Sequence, residues 1–316
     1  MLFHSAKKPM ELQFIHLNQS KKDIQKQFDT IKKAEKDKSK SCFSLGKLCK
    51  NKKSDKTEQA DLSQTHTVYV LDFDGDIKAS AVDHLREEIS TIISTAKQGD
   101  EVVLRLESGG GQVSAYGLAA AQLLRLKDAG LTLTICVDKV AASGGYMMAC
   151  TANKLIASEF SVLGSIGVVS QLPNFHELLK KHNIGFEQFT AGEYKRTVTM
   201  FGENTDEDRE KHQEDIDRIH VLFKDFVAKH RPSVDIDAVS TGEIWFGADA
   251  KARNLLDEIG TSDAYILSLL DKHNVYALQT RSKPTLMQKL GLADQINADG
   301  VINKLISNIS SGLRGV

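Results

Sequence analysis

No stretch of this chain reaches the roughly 18 consecutive apolar residues that make a membrane-crossing helix. The first residues, Met1 to Pro9, have no apolar core segment and do not form an export signal. Taken literally, the chain neither spans a membrane nor leaves by the general export route. Cysteine is also scarce, with only Cys42, Cys49, Cys136 and Cys150. Their spacing fits no metal motif and suggests no disulfide framework. Cys136 and Cys150 lie in apolar surroundings and are expected to be buried thiols, which suits a reducing compartment. No internal repeat is present.

Net charge is nearly absent as well, at −1, but its distribution is uneven. Residues 1–57 hold fifteen lysines against six acidic residues, so the remainder of the chain is acidic. A basic arm ahead of an acidic domain suits contact with anionic lipid or nucleic acid, and a solvated lysine-rich linker would have the same composition. With 41% hydrophobic and 26% charged residues in 316, the rest is an ordinary globular composition of one or two domains.

Three regions follow. Residues 1–66 form a lysine-rich leader, in which Ile24, Phe28 and Ile31 recur at helical spacing and predict an amphipathic helix around 20–38. The stretch from Lys38 to Gln64 is polar and expected to be flexible. Residues 67–275 form the main domain, and 276–316 a C-terminal tail without informative pattern. In the main domain, strands are expected at 67–73, 101–106, 131–137, 154–157 and 184–190. Helices are expected at 80–97, 113–128, from Ser143 to about Thr151, and at 173–182, 205–230, 248–257 and 262–273. The helix at 113–128 is expected to carry Tyr116, Leu118, Leu123 and Leu124. This alternation predicts an α/β fold with a largely parallel sheet.

Two glycine-rich segments then fall at carboxyl ends of strands, where open parallel sheets bind ligands. They are Glu107-Ser108-Gly109-Gly110-Gly111 and Ala141-Ala142-Ser143-Gly144-Gly145-Tyr146. Ser143, between small residues at a helix start, is a candidate nucleophile. It needs a base and donors aimed at the developing oxyanion. The first N–H groups of a helix have no internal acceptor, which suits Gly144 as one donor. Gly110 or Gly111 could supply the second, since glycine permits close backbone approach. Each such donor contributes about 3 kcal/mol to transition-state stabilisation. Tight turns in which glycine merely packs would look the same for either loop alone; the two together favour a site.

The usual base, histidine, is missing between Ser143 and His176. Lysine can serve if burial makes it neutral, from an ordinary pKa of about 10.4. Sequence pattern alone does not select one lysine from the many present.

A resemblance does. Val70-Leu71-Asp72-Phe73, Leu104-Arg105-Leu106-Glu107-Ser108, the run from Val137 to Cys150, Gly164-Ser165-Ile166-Gly167-Val168-Val169 and Tyr194-Lys195-Arg196-Thr197 occur in order. They resemble the signal peptide peptidase A family of bacterial serine proteases, from about Thr67 to Leu270 and more weakly through the leader. The resemblance implies a Clp/crotonase-like superhelical spiral of strand–helix units. It implies Ser143 as nucleophile, Lys195 as general base, Gly110 and Gly144 as oxyanion donors, and Ser165 as a hydroxyl orienting the lysine. It further implies no metal or cofactor, and a peptide or protein substrate cut through an acyl-enzyme. Such substrates would be extended chains, such as residual signal peptides or membrane-associated proteins, with small or apolar side chains beside the cut. A homo-oligomeric ring is implied too, with no nucleic acid partner and an anionic membrane surface available to the basic leader.

Two departures stand out. The family's first loop reads Ser-Pro-Gly-Gly, and here Gly109 replaces the proline; activity is expected to survive because both following glycines remain. Family members also begin with a membrane-spanning helix, whereas this leader resembles the lysine-rich segment that follows it. The resemblance thus implies the bacterial inner membrane, with the anchor missing from this chain, or else a cytoplasmic or peripheral form. Two rival readings are an acyl-CoA enzyme of the crotonase fold, which would need a glutamate pair in the site, and a catalytically silent peptide-binding scaffold.

Overall fold

The computed structural model describes residues 10–40 and 66–282. Of the stretch expected to be flexible (38–64), only 38–40 are described, at the end of a helix, and of the expected tail (276–316), only 276–282, within a strand. Phe14–Leu278 form one compact unit, and the two chain ends form another, of which only strand termini are described.

The described residues begin with β1 (Met10–His16) and α1 (Leu17–Lys40), which spans the helix expected around 20–38. The main unit then alternates β2 (Thr67–Gly75), α2 (Val82–Thr95), β3 (Glu101–Ser108), α3 (Val113–Asp128) and β4 (Thr132–Val137). Next come β5 (Val140–Ala142), α4 (Gly144–Ala149), β6 (Lys154–Ala157) and β7 (Val162–Gly164). Beyond these lie α5 (His176–Lys181), α6 (Asp206–His230), α7 (Ile236–Val239), β8 (Ile244–Phe246) and α8 (Gly247–Ala252). The described chain closes with β9 (Glu258–Ile259), α9 (Ser262–Leu269) and β10 (Asn274–Ser282).

The sheet is largely parallel, in the order β10-β2-β3-β4-β6-β9, with β5 joined to β3 and β7. Only a short ribbon, β7 with β8, is antiparallel among the pairs within this unit. Parallel strands are covered on both faces, so they read as near-continuous apolar runs. Val68, Val70 and Leu71 of β2, Val102, Val103 and Leu104 of β3, and Leu133, Ile135 and Val137 of β4 are all buried. Helices α2 and α3 cover them. Leu85, Ile89 and Ile92 point inward from α2; Tyr116, Ala119, Ala120, Leu123 and Leu126 do so from α3. That helical stripe differs from the expected one: Leu118 is exposed, and the small Ala119 and Ala120 take the inward positions. Cys136 and Cys150 are buried free thiols, and burial pushes each up to about 12.

The register matters for function. Gly75 pairs with Ser108, Ser108 with Ala141, and Ala142 with Gly164. The ends of β2, β3, β5 and β7 thus share one edge, and both glycine segments leave the sheet there.

Several expected elements differ. No strand forms at 184–190; Ile184 and Phe186 alternate as in a strand, but no sheet edge pairs with them, and both are exposed, as is Phe189. The helices at 173–182, 248–257 and 262–273 are shorter: α5 spans His176–Lys181, α8 ends at Ala252 in a turn ahead of β9, and α9 ends at Leu269 ahead of β10. Helix α6 starts where expected: the Thr205 hydroxyl accepts the Asp208 N–H while the Asp208 carboxylate accepts the Thr205 N–H, a closed capping box. Its far end is fixed by Arg231, whose guanidinium donates twice to the Asp257 carboxylate and twice to the Asn254 carbonyl. Asp257 in turn accepts the Leu155 N–H, tying α6 to β6. Among the described residues, no helix is long and apolar enough to cross a membrane.

Candidate active site

Ser143 is the single residue between β5 and α4. Its backbone takes φ 51°, ψ −119°, a region that costs a non-glycine residue about 1–3 kcal/mol and persists only when its surroundings enforce it. They do so on both sides. The Ser143 N–H donates to the Gly164 carbonyl at 2.8 Å, and its carbonyl accepts from the Met147 N–H at 3.0 Å. The two glycines that follow let α4 press onto its neighbours. A Cβ on Gly144 would stand 2.4 Å from Tyr116 Cγ, and one on Gly145 would stand 2.5 Å from the Ser108 carbonyl oxygen. As the first residue of α4, Gly144 has no intrahelical acceptor for its N–H.

The glycine loop after β3 packs against this turn. Gly110 has φ +89°, and a Cβ there would be 2.6 Å from the Gly144 nitrogen and 2.8 Å from Ser143 Cβ. No side chain fits between the two loops. A Cβ on Gly111 would overlap the Ile77 carbonyl at 2.1 Å; that oxygen also accepts the Gln112 N–H at 2.8 Å. A Cβ on Gly109 meets nothing within 4 Å, so position 109 has room for a side chain. The Gly110 N–H donates to Ser108 Oγ at 3.1 Å, whereas the Gly111 N–H has no hydrogen-bond partner among the described residues.

Ser165 adopts φ 50° just after β7, its N–H donating to the Glu243 carbonyl at 2.6 Å. The loop it begins is also held from α6, where His220 Nε2 lies 3.2 Å from the Ile166 carbonyl. Gly109, Gly110, Gly111, Ser143, Ser165 and His220 all line one open cavity of about 550 Å³, together with Val113, Val168 and Val169. Four of the five site residues expected from the sequence therefore meet at one place: Ser143 and Ser165 line the cavity, Gly110 lies against both Ser143 and Gly144, and Gly144 follows the serine.

The fifth does not. Lys195 is exposed and lines a separate cavity of about 680 Å³ with Leu172, Phe186, Phe189 and Phe201. It lies on residues 170–204, where α5 is the one regular element and Phe186, Phe189, Tyr194 and Phe201 are exposed. Sequence reasoning missed Tyr116 and Ser108 as parts of the site. Tyr116 reads as one more apolar residue on a helix face. The one signal available was its hydroxyl, since a buried tyrosine needs a polar partner.

The sequence matches the family profile "Peptidase family S49" over residues 125–276, and "Peptidase family S49 N-terminal" over residues 2–123. It is 51% identical over 253 residues to "Probable protease SohB" of Haemophilus influenzae, covering 80% of this chain and 72% of that protein. It is 52% identical over 272 residues to "Probable protease SohB" of Buchnera aphidicola subsp. Schlechtendalia chinensis, covering 84% of this chain and 89% of that one. Identity at this level, across most of both chains, decides membership: the chain belongs to peptidase family S49, and so to the peptide-bond hydrolases.

Proposed function

We propose that this chain is a serine endopeptidase using a Ser143/Lys195 dyad. Lys195 Nζ takes the Ser143 hydroxyl proton as Oγ bonds to the peptide carbonyl carbon. The carbonyl oxygen becomes an oxyanion facing the Gly144 N–H and the glycine loop. Collapse breaks the C–N bond, and the leaving amine receives the proton from Lys195. Water then attacks the acyl-enzyme, losing its proton to Lys195; the bond from the acyl carbon to Ser143 Oγ breaks, Lys195 returns the proton to Oγ, and the second product leaves with its new carboxyl group. As second donor, Gly110 would have to release its N–H from Ser108 Oγ, while the Gly111 N–H has no competing partner. Ser165 is assigned to orient the lysine amine.

The observation that carries this reading is the strained backbone of Ser143, with Gly110 packed against the Gly144 nitrogen. A turn that sets one serine next to the Gly144 and Gly111 N–H groups, neither of which has an acceptor among the described residues, suits acyl transfer. The alternative acyl-CoA reading needs a glutamate pair, and no glutamate is among the described residues lining the cavity. Lys195 is the part a single chain leaves unfinished. A lysine base must lose its solvent, and Lys195 lies on an exposed, aromatic-rich segment. The homo-oligomeric ring implied by the resemblance would cover that segment and bring the amine to a serine. We further assign the chain the Clp/crotonase-like spiral, extended peptides such as residual signal peptides or membrane-associated proteins as substrates, and action at the bacterial inner membrane. The lysine-rich leader would meet anionic lipid there.

The test is casein cleavage by the assembled protein, compared with Ser143→Ala and Lys195→Ala. Loss of cleavage in both variants supports the dyad. Cleavage by Ser143→Ala rejects it, and inactivity of the natural chain in its assembled state favours the peptide-binding scaffold.

A further inference from the structure

Between the two glycine loops lies a buried polar chain that the mechanism above does not use. Tyr116 and Ser108 are 0% and 2% exposed. The Tyr116 hydroxyl donates to the Asp76 carbonyl at 2.7 Å. Its only proton is thereby used, so in its 2.5 Å contact with Ser108 Oγ the serine is the donor. The Ser108 proton is also directed at the Gly75 carbonyl, at the longer distance of 3.2 Å, and Ser108 Oγ accepts the Gly110 N–H at 3.1 Å. Hydrogen bonds therefore run in one direction from Gly110 through Ser108 and Tyr116 to Asp76. Burial pushes the Tyr116 hydroxyl up, so it stays protonated.

The same tyrosine touches the other loop. Its ring carbons Cγ and Cδ2 fill the space where Gly144 would carry a side chain, at 2.4 and 2.7 Å from such a Cβ. Gly75 makes room below, since a Cβ there would stand 2.6 Å from both Ser108 Oγ and Tyr116 Oη. The chain ends on a firm base. The Asp76 carboxylate accepts the N–H groups of Lys78 and Ser80 and the Ser80 hydroxyl, and the Asp76 carbonyl also accepts the Ala79 N–H.

We propose that Tyr116, acting through Ser108, is a positioning residue that sets the spacing of the oxyanion donors: its hydroxyl fixes the Gly110–Gly111 loop and its ring fixes Gly144. The ring and the hydroxyl belong to one rigid side chain, so the two loops are held to a common reference. The inference rests on the acyl-transfer reading of Ser143 and adds to it the element that aligns both donors. Preorganised donors lose catalytic value quickly when displaced, because they must meet charge that exists only in the transition state.

The test uses Tyr116→Phe, which keeps the ring and removes the hydroxyl, and Ser108→Ala, which removes the acceptor for Gly110. Tyr265→Phe is the control; it removes a tyrosine hydroxyl that donates to Glu101, far from the cavity in sequence. Tyr116→Phe is expected to lower kcat about 10-fold with KM within about twofold, the pattern for an interaction made only in the transition state. A peptide aldehyde, whose serine adduct carries the oxyanion, should bind about 10-fold more weakly, while the matching peptide alcohol binds unchanged. The double variant should lose little more than Ser108→Ala alone, because both act through one chain of bonds. Unchanged kcat and aldehyde affinity in Tyr116→Phe, with Ser143→Ala inactive, overturns the positioning role alone. Equal losses for aldehyde and alcohol, or a loss matched by Tyr265→Phe, also overturn it. Activity in Ser143→Ala overturns the underlying reading instead.

Discussion

Gly110 lies against the backbone nitrogen of Gly144, so closely that a Cβ on Gly110 would stand 2.6 Å from it. Residues more than thirty positions apart thus share one wall of the candidate site, because β3 pairs with β5 through Ser108 and Ala141. The relationship restricts position 110 to glycine on two grounds, its φ of +89° and the absence of space.

Gly110→Ala is therefore expected to lower kcat/KM at least about 100-fold, the scale of losing one oxyanion donor, because its Cβ would displace the Gly144 N–H. Gly109→Ala should cost less than about threefold, since its Cβ would meet nothing within 4 Å. Both are read from peptide-cleavage kinetics, with far-UV circular dichroism as the check on folding. Equal losses at the two positions would contradict the packing argument.

Lys195 gives a second prediction. Lys195→Arg should be as inactive as Lys195→Ala, because guanidinium keeps its proton at any working pH and cannot act as a base. The segment around it should also differ between states. Limited proteolysis at residues 186–196 should be rapid in dilute, dissociated protein and slow in the assembled form. Cleavage at equal rates would argue against burial of Lys195 on assembly.

The Arg231–Asp257 pair predicts a pH-dependent stability term. Burial alone would raise the Asp257 carboxyl, but the Arg231 hydrogen bonds and the Leu155 N–H prevail and hold it below the ordinary carboxylate range. A carboxyl lowered in the folded state stabilises above its unfolded pKa, and the effect is lost as pH falls through the folded value. Asp257→Asn should cost about 2 kcal/mol at pH 7, below the range for fully buried pairs because the Asp257 side chain is 40% exposed. Urea unfolding should show the gap between natural chain and variant narrowing as pH drops below about 4. A gap that stays constant with pH would contradict this assignment.

Much of this fold was legible because parallel strands are written as apolar runs. Val102-Val103-Leu104 and the run from Leu131 to Val137 could hardly be anything else, and the glycines after them mark the turns. The short strands were not legible. β5, β7 and β8 have three residues each, too few for any period, and they exist because their neighbours pair with them. The opposite error at 184–190 has the same origin: Ile184 and Phe186 alternate correctly, but no edge receives them. For the candidate site, Ser143 and the glycines stood out because close backbone approach demands glycine. Tyr116 and Ser108 did not, since their importance lies in a contact between β3 and α3 that no local pattern encodes. Lys195 was indicated by resemblance alone, and its exposure in the single chain is consistent with a lysine that nothing nearby in sequence distinguishes.

The most direct test of the central claim is to treat the assembled protein with a fluorophosphonate and locate the adduct by peptide mass mapping. The account predicts one phosphonyl group per chain, carried by Ser143, and none in Ser143→Ala or Lys195→Ala. An adduct on any other residue, or labelling that survives Ser143→Ala, would contradict it.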